Sequence, residues 1–280
     1  MTKTFQFSIL MVISESDNVN YLFDALKSIS TDQELQPNEY IIVRNGSLKK
    51  KQLEIIEQWL FKNNLNENVT LIDLPQMKTL SDSLNIGLAN SSYELIARMD
   101  PDDISLPQRF LKQINAFKLD KSLSVCGTLG NEFSNFKECF IKQLPINEKD
   151  IKEFSRWRNP LIHPSVMFKK TDVIKVGSYP NTKKSQDYLL WTRMIKNGFK
   201  VININEVLIN VRTDTDLIQR RGFNYFLSEI EVLNKMYRDG SIPFSYFLAN
   251  LLLRFFLRIM PKSLKLFFYN RRPKMNSERY

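Results

Sequence analysis

Between residues 7 and 127, short apolar runs alternate with segments of helical period, and this alternation restricts the fold more than any other feature. Apolar runs at 7–13, 40–43, 69–74, 94–99 and 124–127 predict strands. Segments at 19–30, 49–62, 80–89 and 107–117 predict helices. In the second of these Leu53, Ile56 and Leu60 share a face; in the last, Pro107 falls in the first turn, where a missing N–H costs nothing. Strands that alternate with helices build a mainly parallel sheet, and such sheets bind ligands at the carboxyl ends of their strands. Two polar turns fall at such ends: Asn45-Gly46, and Asp100-Pro101-Asp102-Asp103.

The second half is less regular. Residues 166–168 predict a strand, 186–196 a helix, 201–211 one or two strands and 220–237 a further helix. Its charged and aromatic clusters suit a half that completes the site and holds a second substrate. The first apolar run is short and is followed at once by Glu15 and Asp17, so it is expected to be a strand and not a signal peptide. Cys126 and Cys139 belong to no zinc-type cluster and suit reduced thiols in the cytosol.

The acidic turn carries the chemistry. Carboxylates this close repel one another, and each loses hydration if enclosed, so the cluster calls for a positive partner. In an extended segment residues two apart project to one side, so Asp100 and Asp102 can converge on a hard cation while Asp103 holds the loop. Mg2+ and Mn2+ take such oxygen ligands and share their remaining positions with phosphates. Taken alone, Asp-x-Asp is also what a solvated turn before a helix looks like.

The surrounding motifs narrow the choice. FSILMVI as first strand, IIVRNGSL after the second, LNIGLA on the third helix and ARMDPDD after the fourth strand occur in order. NPLIHPSVMF, SQDYLLWTRMIKNGF, LINVR and RRG follow. Over about residues 7–222 the chain resembles the family 2 inverting glycosyltransferases, and within them the enzymes that extend a lipid-diphosphate-linked sugar in O-antigen or capsule assembly. The resemblance implies an α/β GT-A fold, a Rossmann-like mainly parallel sheet flanked by helices. It places a nucleotide-sugar half at about 1–128, an acceptor half at 129–222, and a basic helical tail at 223–280.

It also implies roles. Asp102 would hold Mn2+ or Mg2+ against the sugar nucleotide's phosphates, with Asp100 on the ribose or the metal. Ser14, Glu15, Asn45 and Arg98 would line the nucleotide, Arg98 touching its phosphates or bracing the loop. Asp187, in Gln186-Asp187-Tyr188, matches the family's catalytic base, and a helix N-terminus would favour its ionised form. His163, the single histidine, is either an acceptor-phosphate or metal contact or a hydrogen-bonded core residue. Arg212, Arg220 and Arg221 suit a donor or acceptor diphosphate. The implied reaction is β-linked transfer of glucose or galactose from a UDP-sugar to an undecaprenyl-diphosphate-linked sugar. The chain departs from its relatives in carrying Asn45 for Asp, Ser14-Glu15 for an aromatic or Thr-Tyr pair, and Gln186 for Glu. An amide carbonyl can still accept from a uracil N–H.

Net charge of +10 raises the question of nucleic acid, but the charge is not spread along the chain. Residues 241–280 hold eight basic residues against Glu278 alone, a net +7. Within them Phe244, Phe247, Leu248, Leu251, Leu252, Phe255 and Ile259 keep helical spacing, with Arg254 and Arg258 opposite. The run is too short to cross a bilayer, which needs roughly 20 apolar residues. A basic amphipathic helix, a break at Pro261 and a second piece at 264–269 suit an anchor on the anionic inner face of the cell membrane. The same stripe would also suit packing on the protein's own core. A metal-dependent phosphohydrolase and a non-catalytic, membrane-associated nucleotide-sugar binder are the competing functions. Dehalogenase-type phosphohydrolases, however, carry their aspartates after the first strand and not the fourth.

Overall fold

The computed structural model describes residues 5–65, 67–133, 140–213 and 223–259. Four parallel strands form one wing of the sheet: β1 (Phe7–Ser14), β2 (Glu39–Asn45), β3 (Val69–Leu74) and β4 (Leu95–Met99). Helices α1 (Val19–Ser28), α2 (Lys50–Asn63) and α3 (Leu80–Asn90) connect them. Next come a two-residue strand β5 (Ile104–Ser105), α4 (Arg109–Leu119), β6 (Leu123–Phe133), β7 (Phe140–Lys142) and α5 (Glu148–Ser155). A 3-10 turn (His163–Ser165) leads into β8 (Met167–Lys169), α6 (Lys170–Lys175), α7 (Gln186–Lys196) and β9 (Lys200–Arg212), and two helices follow, α8 (Phe223–Arg238) and α9 (Phe244–Ile259).

Strand order is β3-β2-β1-β4-β8-β6-β9-β5, with β7 added to β6. β1 is central, and all but its last residue are buried, which is why FSILMVI reads as an unbroken apolar run. Its side chains divide by the period of two. Phe7, Ile9, Met11 and Ile13 meet α1, α2 and α4 through Leu22, Ile56, Trp59, Phe110 and Phe117. Leu10 and Val12 meet the opposite layer, built from Leu84, Leu88, Leu190, Trp191 and Met194 of α3 and α7. The glycine of LNIGLA has a packing cause: a Cβ on Gly87 would lie 2.3 Å from Leu10 Cδ1, so only glycine lets α3 lie this close to β1.

Several expectations need correction. Pro107 lies outside its helix, which starts at Arg109; the Pro107 carbonyl accepts from Glu34 N instead. The strand expected at 124–127 runs on to Phe133, because β9 pairs with it along its length. Of the one or two strands expected at 201–211, the structure forms one, over residues 200–212. Helix α5, with Asn147 as its side-chain cap, and the short elements β5, β7 and α6 were not foreseen.

The tail divides into a described and an undescribed part. Val232, Leu233 and Met236 of α8 pack with Tyr188 and Leu189 of α7, and α9 adds Tyr246 and Phe247 to the same cluster. The rest of α9 has inverted polarity. Asn250 is 1% exposed, and Arg254 pairs inward with Glu229 at 2.6 Å. Phe244, Leu248, Leu252, Leu253, Phe255, Phe256 and Leu257 are exposed. Arg254 therefore faces the protein, and Phe247 of the expected apolar stripe faces it too. Pro261 and the piece at 264–269 lie outside the described residues. No described helix is long and apolar enough to cross a membrane.

Candidate active site

The order β3-β2-β1-β4 reverses direction between β1 and β4, and the crevice outside their carboxyl ends is where such a sheet takes a ligand. Both neighbouring strands end in acidic turns. After β1, Asp17 folds back so that its Oδ2 accepts from Ser14 N at 2.7 Å and Ser14 Oγ at 3.2 Å. Gln52 of α2 pins the turn by donating to the Ser14 and Asp17 carbonyls, both at 2.9 Å. Glu15 is exposed.

After β4, carboxylate oxygens of Asp100, Asp102 and Asp103 all lie within 4.8 Å of one another. Burial, reinforced by Asp100 and then Asp17, pushes Asp102 up to about 6. Burial, reinforced by Asp100 and then Asp102, pushes Asp103 well above its ordinary value. Asp17 also feels Asp100, so it belongs to this acidic group although the sequence reading did not include it. The set is a hard-oxygen donor array short of positive charge, and it fits a hard divalent cation.

Two arginines frame the array. Arg98 is 2% exposed and ion-paired to Asp100, and its Nε and Nη1 have no hydrogen-bond partner among the described residues. Burial works against its charge but is outweighed by Asp100. Arg212, at the end of β9, donates its backbone N–H to Asp103 Oδ1 at 2.8 Å and its Nε to the Asp102 carbonyl at 3.1 Å. Its guanidinium lies 3.7 Å from the centre of the Tyr21 ring and 4.6 Å from that of Phe133. Arg212, expected as a diphosphate contact, braces the acidic loop through these bonds. Beneath lies Arg109, fully buried, whose Nη2 donates to the Arg98 carbonyl at 2.7 Å; nothing in the sequence marks it off from a surface helix residue.

Asp187 stands in the first turn of α7, after Ser185 in the left-handed region (φ 56°). Its Oδ2 accepts from Asn159 Nδ2 at 2.6 Å. Burial raises its pKa, against the lowering effects of the Tyr188 N–H, Asn159, Arg98 and Lys142. The helix N-terminus thus favours the ionised form, but burial wins. Arg98 bears electrostatically on both Asp100 and Asp187.

His163 Nε2 lies 3.1 Å from the Tyr179 hydroxyl, and its ring packs on Tyr179 and Trp191. Burial, then Arg98, holds its pKa well below 6.5, so it is neutral. Among the described residues it belongs to no metal-type cluster. Asn45 uses both halves of its amide on Lys78: Nδ2 donates to the carbonyl at 3.0 Å and Oδ1 accepts from the N–H at 2.8 Å. Gly46 follows at φ 82°, the turn that its lack of a Cβ permits. Arg220 and Arg221 lie outside the described residues.

The family model described as glycosyl transferase family 2 matches residues 9–181. The amylovoran biosynthesis glycosyltransferase AmsE of Erwinia amylovora is 32% identical over 95% of this chain and 98% of its own length. A UDP-Gal:alpha-D-GlcNAc-diphosphoundecaprenol beta-1,3-galactosyltransferase of Escherichia coli is 31% identical over 95% of this chain and 96% of its own. Among solved structures, a mannosyltransferase from Pyrobaculum calidifontis in complex with GDP-Man and Mn2+ superposes with a TM-score of 0.66 at 14% identity. That match covers 92% of this chain and 71% of that one, and it bears on the fold alone.

Proposed function

The chain belongs to glycosyl transferase family 2, and from that membership we propose that it is an inverting, metal-dependent hexosyltransferase of bacterial surface-polysaccharide assembly. The donor is a UDP-hexose, glucose or galactose. The acceptor is a sugar linked through diphosphate to undecaprenol, the acceptor class named for the Escherichia coli relative. One observation carries this reading: at the carboxyl end of β4 the carboxylate oxygens of Asp100, Asp102 and Asp103 converge within 4.8 Å, with Arg98 paired to Asp100.

Asp102 and Asp100 would hold Mn2+ or Mg2+, and a divalent ion there supplies positive charge to the diphosphate leaving group. Asp187 takes the proton of the acceptor hydroxyl as that oxygen bonds to the anomeric carbon. The carbon's bond to the diphosphate oxygen breaks, the electron pair leaves with the nucleoside diphosphate, and attack from the opposite face inverts an α-linked donor to a β product. Arg98, 2% exposed and paired to Asp100, would brace the metal-holding loop or touch the nucleotide phosphates. Neutral His163, held by Tyr179, shapes the crevice wall without carrying charge.

The outward face of α9, with the basic residues that follow it in sequence, suits the anionic inner face of the cell membrane, where such an acceptor is anchored. The test is mass spectrometry of an α-GlcNAc diphosphate carrying a short alkyl chain, incubated with enzyme, Mn2+ and either UDP-glucose or UDP-galactose. Gain of one hexose supports the reading, and the anomeric proton coupling of the product reports inversion. Loss of phosphate would make the chain a phosphohydrolase, and no change a binder.

A further inference from the structure

We infer that Asn159 is a positioning residue for Asp187, and that the carbonyls of Arg156 and Trp157 tie it to helix α9. The inference rests on the reading of Asp187 as the base. Asn159 donates Nδ2 to Asp187 Oδ2 at 2.6 Å, and its own Oδ1 accepts from Leu161 N at 3.2 Å. That second bond fixes which end of the amide faces the carboxylate. The residue before a proline is confined to extended backbone, and the Pro160 carbonyl is itself held by Asn203 Nδ2 at 3.0 Å. Asn159 is thus fixed on its C-terminal side.

Its N-terminal side is fixed by α9. Asn250 Nδ2 donates to the Arg156 carbonyl at 2.9 Å, and Arg254 Nη2 to the Trp157 carbonyl at 3.2 Å. Tyr246 packs on Trp157 with ring centres 5.0 Å apart, and its hydroxyl meets Arg156 Nη1 at 3.2 Å. The polar side of α9 is turned inward because these carbonyls and Glu229 need donors there; without them the carbonyls beside α9 would lose their partners. The helix whose apolar face is exposed therefore holds, two and three residues upstream, the amide that orients the base.

Among the described residues the charged and titratable groups that bear on Asp187 are Arg98 from β4, Lys142 from β7 and Tyr179; Asn159 and the Tyr188 N–H are its neutral donors. Removing a donor to a carboxylate favours its protonated form. Asn159→Ala should lower kcat about tenfold, leave KM for the UDP-sugar within about twofold, and move the acid limb of the kcat profile up by about one pH unit. Asn159→Asp, equal in size, places a like charge beside the base and should move the limb further. Asn250→Ala should move it the same way by less.

A limb that stays in place in both Asn159 variants, or a loss confined to KM, overturns the positioning role. Asn159 variants that shift the limb while Asn250→Ala does not would overturn the tie to α9. Wild-type enzyme that transfers no hexose, or Asp187→Asn with normal turnover, strikes the functional reading instead. Wild-type turnover with Asp187→Asn inactive and both Asn159 variants unmoved strikes only this inference.

Discussion

The backbone N–H of Arg212 donates to Asp103 Oδ1 at 2.8 Å, joining residues 109 apart in the chain. Through this bond the end of β9 closes on the acidic turn that follows β4. Two residues beyond Asp103, Ser105 pairs with Ile209, so the turn is held as the edge of a strand pair. Asp103 therefore differs in kind from its neighbours: it is 2% exposed and its oxygen satisfies a backbone donor.

Asp103→Ala should be destabilising, because it leaves that donor without a partner, at about 1–3 kcal/mol. For a chain of this size the loss lowers Tm by roughly 2–4 °C per kcal/mol. Asp103→Asn keeps an accepting oxygen in the same place and should melt near the wild type. Equal melting temperatures for the two variants would show that the bond does not hold the loop.

Asp102→Ala should behave in the opposite way. Its carboxylate is pushed up to about 6 by burial and by Asp100 and Asp17, so its charge is a burden on the metal-free fold. Removing it should leave Tm unchanged or slightly raised in EDTA, while hexose transfer falls to background. Normal turnover in this variant, or of the wild type in EDTA, would sink the metal assignment.

The single histidine gives a clean readout of the crevice wall. His163 is held well below its ordinary 6.5 by burial and by Arg98, so the folded chain refuses a proton that the unfolded chain accepts. Its share of stability is thus intact above 6.5 and is lost as pH falls from there towards the folded value, at about 1.4 kcal/mol per pH unit. In NMR its ring Cε1 proton should not titrate between pH 8 and 6. A midpoint near 6.5 would mean a solvated imidazole and an open wall.

The sequence disclosed what local pattern encodes. The apolar run of β1, the polar turn after β4 and the carboxylate opening α7 could all be read within windows of about ten residues. What was hidden depends on chain closure. Asp17 joins Asp100 because β1 and β4 are neighbours in the sheet, and Asn159 meets Asp187 across 28 residues. Arg109 reads as an ordinary helix residue until α4 is laid under β4. In α9, periodicity separated the Phe and Leu side from Arg254, but it could not say which side meets the protein. That depended on carbonyls of Arg156 and Trp157 that no pattern advertises.

That orientation decides how the membrane reading must be tested. Deleting everything from residue 241 would strip α9 from Val232, Leu233 and Met236, and the protein would fail for reasons unrelated to lipid. Deletion of residues 260–280 instead keeps Tyr246, Phe247, Asn250 and Arg254 in place and removes six basic residues against Glu278. Each basic residue near an anionic surface is worth on the order of 1 kcal/mol, so losing three that reach it cuts affinity by roughly a hundredfold or more. The deletion should weaken binding to phosphatidylglycerol vesicles and abolish most of its salt dependence. Leu252→Ser with Phe256→Ser, on the exposed face, should weaken binding but keep the salt dependence, because the charges are unchanged. Both variants should still transfer hexose to the short-chain acceptor, since neither change touches Asp187 or the acidic turn. If the intact chain ignores phosphatidylglycerol vesicles at low salt, the outward face of α9 does not meet lipid.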